Sequence, residues 1–174
     1  DCGEFIACAH ILGIPHPPGT PLWVLIGRIF SMLPTSSDIA VRVNLLSSLS
    51  VAISNAFAFF ITARLLTFCF TPKYPSPDLS WSQRLSIYGG AVSGALFFGF
   101  SNTYWSSAVE TEVYGVAMCL MMGMIWLGLL WAYHREEPGS DRYLVVIGYL
   151  ALLSQGIHPT VFLAMPALFL LVIF

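Results

Sequence analysis

The stretch from Val43 to Ala63, VNLLSSLSVAISNAFAFFITA, carries no charged side chain. As a helix rising about 1.5 Å per residue it is long enough to cross a hydrocarbon core of about 30 Å. The rest of the chain agrees with a membrane protein. Only 9% of the 174 residues are charged and 57% are hydrophobic, where a soluble domain carries roughly 25% charge, and mean hydropathy is +0.78. Within this helix Asn44, Ser47, Ser48, Ser50, Ser54 and Asn55 mark one side that faces protein or a wet cavity rather than lipid. A net charge of −2 and the absence of a basic run exclude nucleic acid as a partner. Cys2, Cys8, Cys69 and Cys119 show no CxxC spacing, so neither a disulfide framework nor a zinc site follows.

Working outward, Leu22 to Leu33 is apolar apart from Arg28, but too short to span, which predicts a helix lying in the interface. After Val43–Ala63 comes the polar, proline-rich Thr71–Asp78, and a second crossing is expected from Leu85 through SIYGGAVSGALFFGF. Its Gly90 and Gly94 form a small-xxx-small face for close helix packing. SNTYWSS reads as a tight connection with interfacial aromatics Tyr104 and Trp105. A third crossing covers Val113 to Tyr133. From Tyr143 onward no residue is formally charged, and Gly156, His158 and Pro159 break what would be an overlong helix into two short ones meeting at a loop below the surface. The sum is an all-α polytopic bundle forming one module over 1–174, with a loop and interfacial helices over 1–38 and about five membrane helices over 39–174. A start at Asp1 without methionine and an end inside LFLLVIF fit a piece of a larger protein.

These crossings put Arg64, Lys73, Arg84, Arg135 and Arg142 on one side and only Arg28 and Arg42 on the other. The first side should be cytoplasmic, which places Pro72–Pro77 and Glu136–Ser140 there. Asp1, Glu4, His16, Arg28, Arg42, Glu110, Glu112 and His158 then gather at the opposite, luminal or periplasmic, face, and such a cluster marks a candidate site. Its densest part is Asp1–Pro21, DCGEFIACAHILGIPHPPGTP. Asp1 and Glu4 share a helix face, where a neighbouring carboxylate beside apolar surroundings raises a pKa towards that of a working base. The same residues read equally as a solvated helix start followed by an ordinary Pro/Gly turn. Glu110 and Glu112, two apart, turn to different sides of a helix, so only one of them can face inward.

The segments DCGEFIACAHILGIPHPPGTPLWVLIGRIFSMLP, IAVRVNLLSSL, SNTYWSSAVETEVYG and SQGIHPTVFLAMPAL resemble, in order, the membrane family catalogued as domain of unknown function 2723, the transmembrane protein 260-like protein O-mannosyltransferases. More distantly, an acidic pair, a Pro-Pro segment and Ala40-Val41-Arg42 look like the first external loop of the GT-C glycosyltransferase superfamily. The resemblance implies Asp1 and Glu4 as catalytic acids, and His16, Arg42, Glu112, Tyr114 and His158 as substrate-binding residues; Arg28 is the second candidate cation for a donor phosphate, and no metal site is read from the sequence. It also implies a polyprenyl-phosphate-linked sugar as donor and a protein or glycan acceptor, in the endoplasmic reticulum of a eukaryote or the inner membrane of a bacterium. Whether a divalent metal takes part is left open. Membrane lipids are the remaining partner.

Two functions follow as expectations. One is an inverting glycosyltransferase that moves a hexose, mannose in the resembling family, from lipid phosphate to an acceptor hydroxyl. The alternative is a proton-coupled transporter with Glu112 and His158 as a relay and the broken helix as its binding site. The two halves of the chain show no similarity, and the repeats common in such transporters are therefore missing.

Overall fold

The computed structural model describes residues 1–71 and 78–173. It is helical, with α1 (Cys2–Ile11), α2 (Pro21–Met32), α3 (Ile39–Phe70), α4 (Trp81–Gly99), α5 (Asn102–Val109), α6 (Val113–His134), α7 (Arg142–Leu153) and α8 (Met165–Ile173). Two 3₁₀ turns, Ser154–Gly156 and Pro159–Ala164, join α7 to α8. Local chemistry sets several starts. Asp38 caps α3 by accepting from the Ala40 amide at 2.8 Å, Ser80 and Gln83 form a reciprocal capping box on α4, and Pro21 opens α2, where a missing N–H costs nothing.

Among the described residues two helices, α3 and α6, are long and apolar enough to cross a membrane. Only 28% of the apolar window of α3 and 33% of that of α6 is buried within the chain. The outward apolar surface suits lipid and not water, so the chain sits in a membrane. At 32 residues, α3 is about 48 Å long and outreaches the hydrocarbon core. It runs past the Val43–Ala63 stretch because Arg64 is not a helix end: its guanidinium lies over the Tyr133 ring, 3.3 Å from the centroid.

The other helices are strung along α3. α6 runs parallel to it, with Gly123 against Phe57, Trp126 against Phe60 and Tyr133 under Arg64. α4 runs antiparallel, Gly90 meeting Leu66, Gly94 meeting Thr62 and Gly99 meeting Asn55; the expected small-residue face is the one that packs. SNTYWSS is not a tight connection. α4 ends beside Asn55, part-way along α3, and α5 carries the same path onward. Tyr104 donates to Ser54, Ser48 to the Ala108 carbonyl at 2.7 Å, and Thr111 to Asn44 at 3.2 Å. The polar stripe of α3 therefore faces protein, as an intramembrane hydroxyl needs a partner. The expected second crossing falls on α4 and α5 in succession, with Trp105 exposed on its side and stacked on Phe100.

α7 returns antiparallel to α6, from the stacked His134 and Tyr143 rings to the break at residues 154–158. α8 then climbs back beside α6, Leu168 meeting Gly128. The two short helices and their break are those expected from Gly156, His158 and Pro159. Arg64, Arg84, Arg135 and Arg142 consequently share one end of the bundle. Arg28, Arg42, Asp1 and Glu112 lie towards the other. Lys73 and the Pro72–Pro77 loop fall outside the described residues.

α1 and α2 pair across the first half of α3, sealed by the fully buried Trp23, whose ring meets Phe5 edge-on at 5.0 Å. α2 also reaches the break. A Cβ on Gly156 would stand 2.7 Å from the Leu22 Cβ, closer than two carbons can approach without a shift, so only glycine admits this contact. Gly148 has nothing within 4 Å of its Cβ position. Gly156→Ala should therefore destabilise the protein by about 1–3 kcal/mol, whereas Gly148→Ala should be neutral or stabilising. Thermal unfolding of the two variants side by side checks this contrast.

Candidate functional site

The turn after α1 folds back on the helix. Glu4 uses both oxygens on one residue: Oε1 accepts the His16 backbone N–H at 2.7 Å, and Oε2 lies 2.8 Å from His16 Nδ1. Gly19, at φ +83°, supplies the left-handed step between Pro17-Pro18 and the start of α2. The His16 ring also meets Phe5 edge-on at 5.5 Å, so the histidine is fixed on two sides while its ring remains nearly half exposed, at 46%. These hydrogen bonds from His16 hold the Glu4 carboxyl below its ordinary range. For Glu4 the expected upward shift from a neighbouring carboxylate is thus corrected. Helical spacing pairs Glu4 with Asp1, but the returning loop gives Glu4 a hydrogen-bonding partner twelve residues away, and that partner sets the direction of the shift.

Asp1 is the N-cap of α1, and its side chain makes no capping bond. Its backbone nitrogen lies 3.7 Å from Glu112 Oε1, and the Glu112 side chain is only 16% exposed. Glu112 precedes α6 in an extended conformation, as does Glu110 after α5. The helical reason for separating the two acids does not hold, since neither is in a helix, but Glu110 is exposed and Glu112 is the half-buried one. Ser47 Oγ lies 3.4 Å from both the amide nitrogen and the carbonyl oxygen of Glu112, which ties the start of α6 to α3. Two residues on, the Tyr114 ring meets His158 edge-on at 5.2 Å. His158 caps the second 3₁₀ turn, Nδ1 accepting from the Thr160 amide at 3.2 Å.

Four segments thus converge on one end of the bundle: the start of α1, the His16 turn, the start of α6 and the α7–α8 break. The direct side-chain pairs are Glu4 with His16 and Tyr114 with His158. Leu22 against Gly156 brings the His16 turn towards the break. The two arginines are used differently. Arg28 donates to the His10 carbonyl, with Nη1 also 3.4 Å from His10 Nδ1, and braces α2 on α1. Arg42 donates through Nε to the Ser36 carbonyl at 2.5 Å and through Nη1 to that of Ser31 at 3.3 Å, holding the α2–α3 turn. Sequence reasoning misses His10, Ser47 and Thr160 as supports. Only Ser47, in the polar stripe, carries a signal. Among the described residues no three His, Cys, Asp or Glu side chains group so as to hold a metal ion.

The family model described as "Protein O-mannosyl-transferase TMEM260 N-terminal domain" matches residues 1–174. The chain belongs to this family. It is 30% identical over 159 residues to the mouse protein named "Protein O-mannosyl-transferase TMEM260", covering 90% of this chain and 19% of the mouse protein. It is 27% identical over 182 residues to the Dictyostelium discoideum protein of the same name, covering 97% of this chain and 20% of that protein. The chain therefore spans about a fifth of the length of these relatives. No solved structure matches it. The TMEM260 N-terminal domain family is the one resembled by the four segments around the site, and the structure brings residues of all four close to one another.

The lowered pKa of Glu4 has a consequence with a definite sign. A carboxyl depressed in the folded state contributes stability above its unfolded pKa, about 4.3, and loses it as pH falls through the still lower folded value. Protection of the His16 amide, followed by hydrogen exchange, should therefore decline below about pH 4. In Glu4→Gln it should be lower at neutral pH and no longer respond to acid.

Proposed function

We propose that this domain forms the sugar-transfer site of a membrane glycosyltransferase of GT-C type. It moves mannose from a polyprenyl-phosphate donor to an acceptor hydroxyl on a protein, at the luminal face of the endoplasmic reticulum or its periplasmic equivalent. The convergence of Asp1, Glu4, His16, Glu112, Tyr114 and His158 from four separate segments carries this reading. The names of the mouse and Dictyostelium relatives support the sugar and the protein acceptor.

The chemistry fits the residues. Direct displacement by a hydroxyl inverts the anomeric carbon. It needs a base for the acceptor proton and a positive partner for the departing phosphate, which leaves without being protonated. The base lies in the acidic start of the chain, Asp1 or Glu4 with His16 beside it. Arg42 is the cation for the phosphate, with Arg28 second, since a guanidinium holds two phosphate oxygens in one plane; the Ser31 and Ser36 carbonyls fix its position. Glu112, and Tyr114 with His158, offer an acceptor and a ring surface to the sugar. A transporter gains no support from relatives named as transferases.

The test is transfer of labelled mannose from polyprenyl-phosphate mannose to a Ser/Thr peptide by the full-length protein. Transfer is expected with wild type, and Asp1→Asn should lower it on the order of a hundredfold if that carboxylate takes the proton, or about tenfold if it only binds sugar. Arg42→Lys should raise the donor KM while the protein still inserts. A wild-type protein that binds the donor and transfers nothing would refute the reading.

A further inference from the structure

At the end of the bundle opposite Asp1 and Glu112, we propose that the groove between α3, α4 and α6, together with Arg64, binds one anionic phospholipid of the adjoining leaflet. The groove exists because α4 and α6 both pack on α3 but scarcely on each other. Ala58, Ile61 and Thr62 form its floor, Gly94 and Phe98 one wall, and Met122 the other. α5 closes it on the side of the candidate site, where the Tyr104 ring lies 4.1 Å from that of Phe98. Its volume, about 260 Å³, is below the roughly 300–1,000 Å³ of pockets that enclose a compact small molecule. The lining is apolar apart from Thr62. A single hydrocarbon chain entering from the bilayer suits that shape and chemistry.

Arg64 supplies the matching charge. It follows Thr62 closely and still lies inside α3, and a guanidinium on a membrane helix needs an anion or a carbonyl as partner. Among the described residues it has neither. Its contact is the Tyr133 ring, 3.3 Å from the centroid, and Nη2 is buried without a hydrogen-bond acceptor. The carboxylates nearby in sequence on α6 are engaged with other residues: Glu137 lies 2.9 Å from His134 Nδ1, and Glu136 lies 3.3 Å from Arg135 Nε. The arginine is only half-buried, so a phosphate diester can take the remaining edge of the stacked guanidinium. The depth also fits. Met122 in the groove and Tyr133 under Arg64 lie on one face of α6, about 16 Å apart along the axis, and one leaflet's share of the hydrocarbon core is about 15 Å. A phosphate at Arg64 therefore sends an acyl chain down to the groove. Basic sites between membrane helices bind anionic headgroups in this manner.

The experiment is native mass spectrometry of the full-length protein in a neutral detergent, with phosphatidylglycerol and phosphatidylcholine of identical acyl chains added in equal amounts, alongside thermal unfolding in each lipid. The wild type should retain one phosphatidylglycerol about fivefold or more over phosphatidylcholine and unfold at a higher temperature with it. Arg64→Gln should abolish that preference, and Arg64→Lys should keep part of it. Gly94→Leu, whose Cβ would meet Thr62 at an ordinary 3.8 Å, fills the groove and should lower retention of both lipids. Arg142→Gln removes an exposed charge at the same end but outside the groove, and should change nothing. Glycerol phosphate, the headgroup chemistry without chains, should not compete. Equal retention of the two lipids by the wild type, a preference that survives Arg64→Gln, or displacement by glycerol phosphate would overturn the proposal. Unchanged retention in Gly94→Leu would do the same, and decides the matter if Arg64→Gln does not fold.

Discussion

A hydroxyl inside a bilayer must find a partner, and the polar stripe of α3 answers that constraint with a single neighbour. Asn44, Ser47, Ser48 and Ser54 bind, in turn, Thr111, the Glu112 backbone, the Ala108 carbonyl and Tyr104. This ladder fixes where α5 lies and where α6 begins. It therefore also decides where Glu112 and Tyr114 stand. Gly115, whose Cβ position is 3.2 Å from the Ser47 carbonyl oxygen, lets the first turn of α6 sit directly on α3. Once the start of α6 is placed, the position of the α7–α8 break follows, because α7 packs back along α6 and ends level with Tyr114.

The α1–α2 pair completes the end of the bundle by different means. Its contacts are a buried aromatic pair, Phe5 and Trp23, and carbonyl-directed arginines, Arg28 on α1 and Arg42 on the α2–α3 turn. Each arginine thereby satisfies backbone groups that an irregular segment near the membrane would otherwise leave open. The pair is seated on the break by the approach of Leu22 to Gly156. This end of the bundle thus has one wall from the long apolar helices α3 and α6 and one from the short helices α1 and α2.

Much of the scaffold is legible in the sequence, because bilayer thickness and helix rise leave few choices. α6 is expected over Val113–Tyr133 and forms over Val113–His134. The final break falls where Gly156, His158 and Pro159 announce it, and Gly90 and Gly94 are packing residues. The illegible parts depend on contacts between distant residues. α5 is hidden because Ser101, Asn102 and Thr103 look like a loop until α3 is there to receive the helix. α3 reads short because Arg64 looks like a terminus until Tyr133 covers it. At the site, helical spacing places Asp1 and Glu4 on one face, and that face exists, but no spacing rule reports a turn that returns His16 to Glu4. The arginines are legible as cations near the site and illegible as braces, since their partners are backbone carbonyls that every sequence contains.

Residues from both ends of the chain share one site only if the α1–α2 pair is seated on the α7–α8 break. All four native cysteines are free and can be replaced, after which Leu22→Cys and Gln155→Cys, next to Gly156 in the chain and leaving that glycine in place, form a proximity pair in the membrane-inserted protein. Ile14→Cys with Gln155→Cys is the control, because Ile14 is 89% exposed. A short bifunctional thiol reagent should cross-link the first pair rapidly and the control pair slowly or not at all. Equal, slow cross-linking of both pairs would mean that α2 does not rest on the break, and that the shared site does not exist.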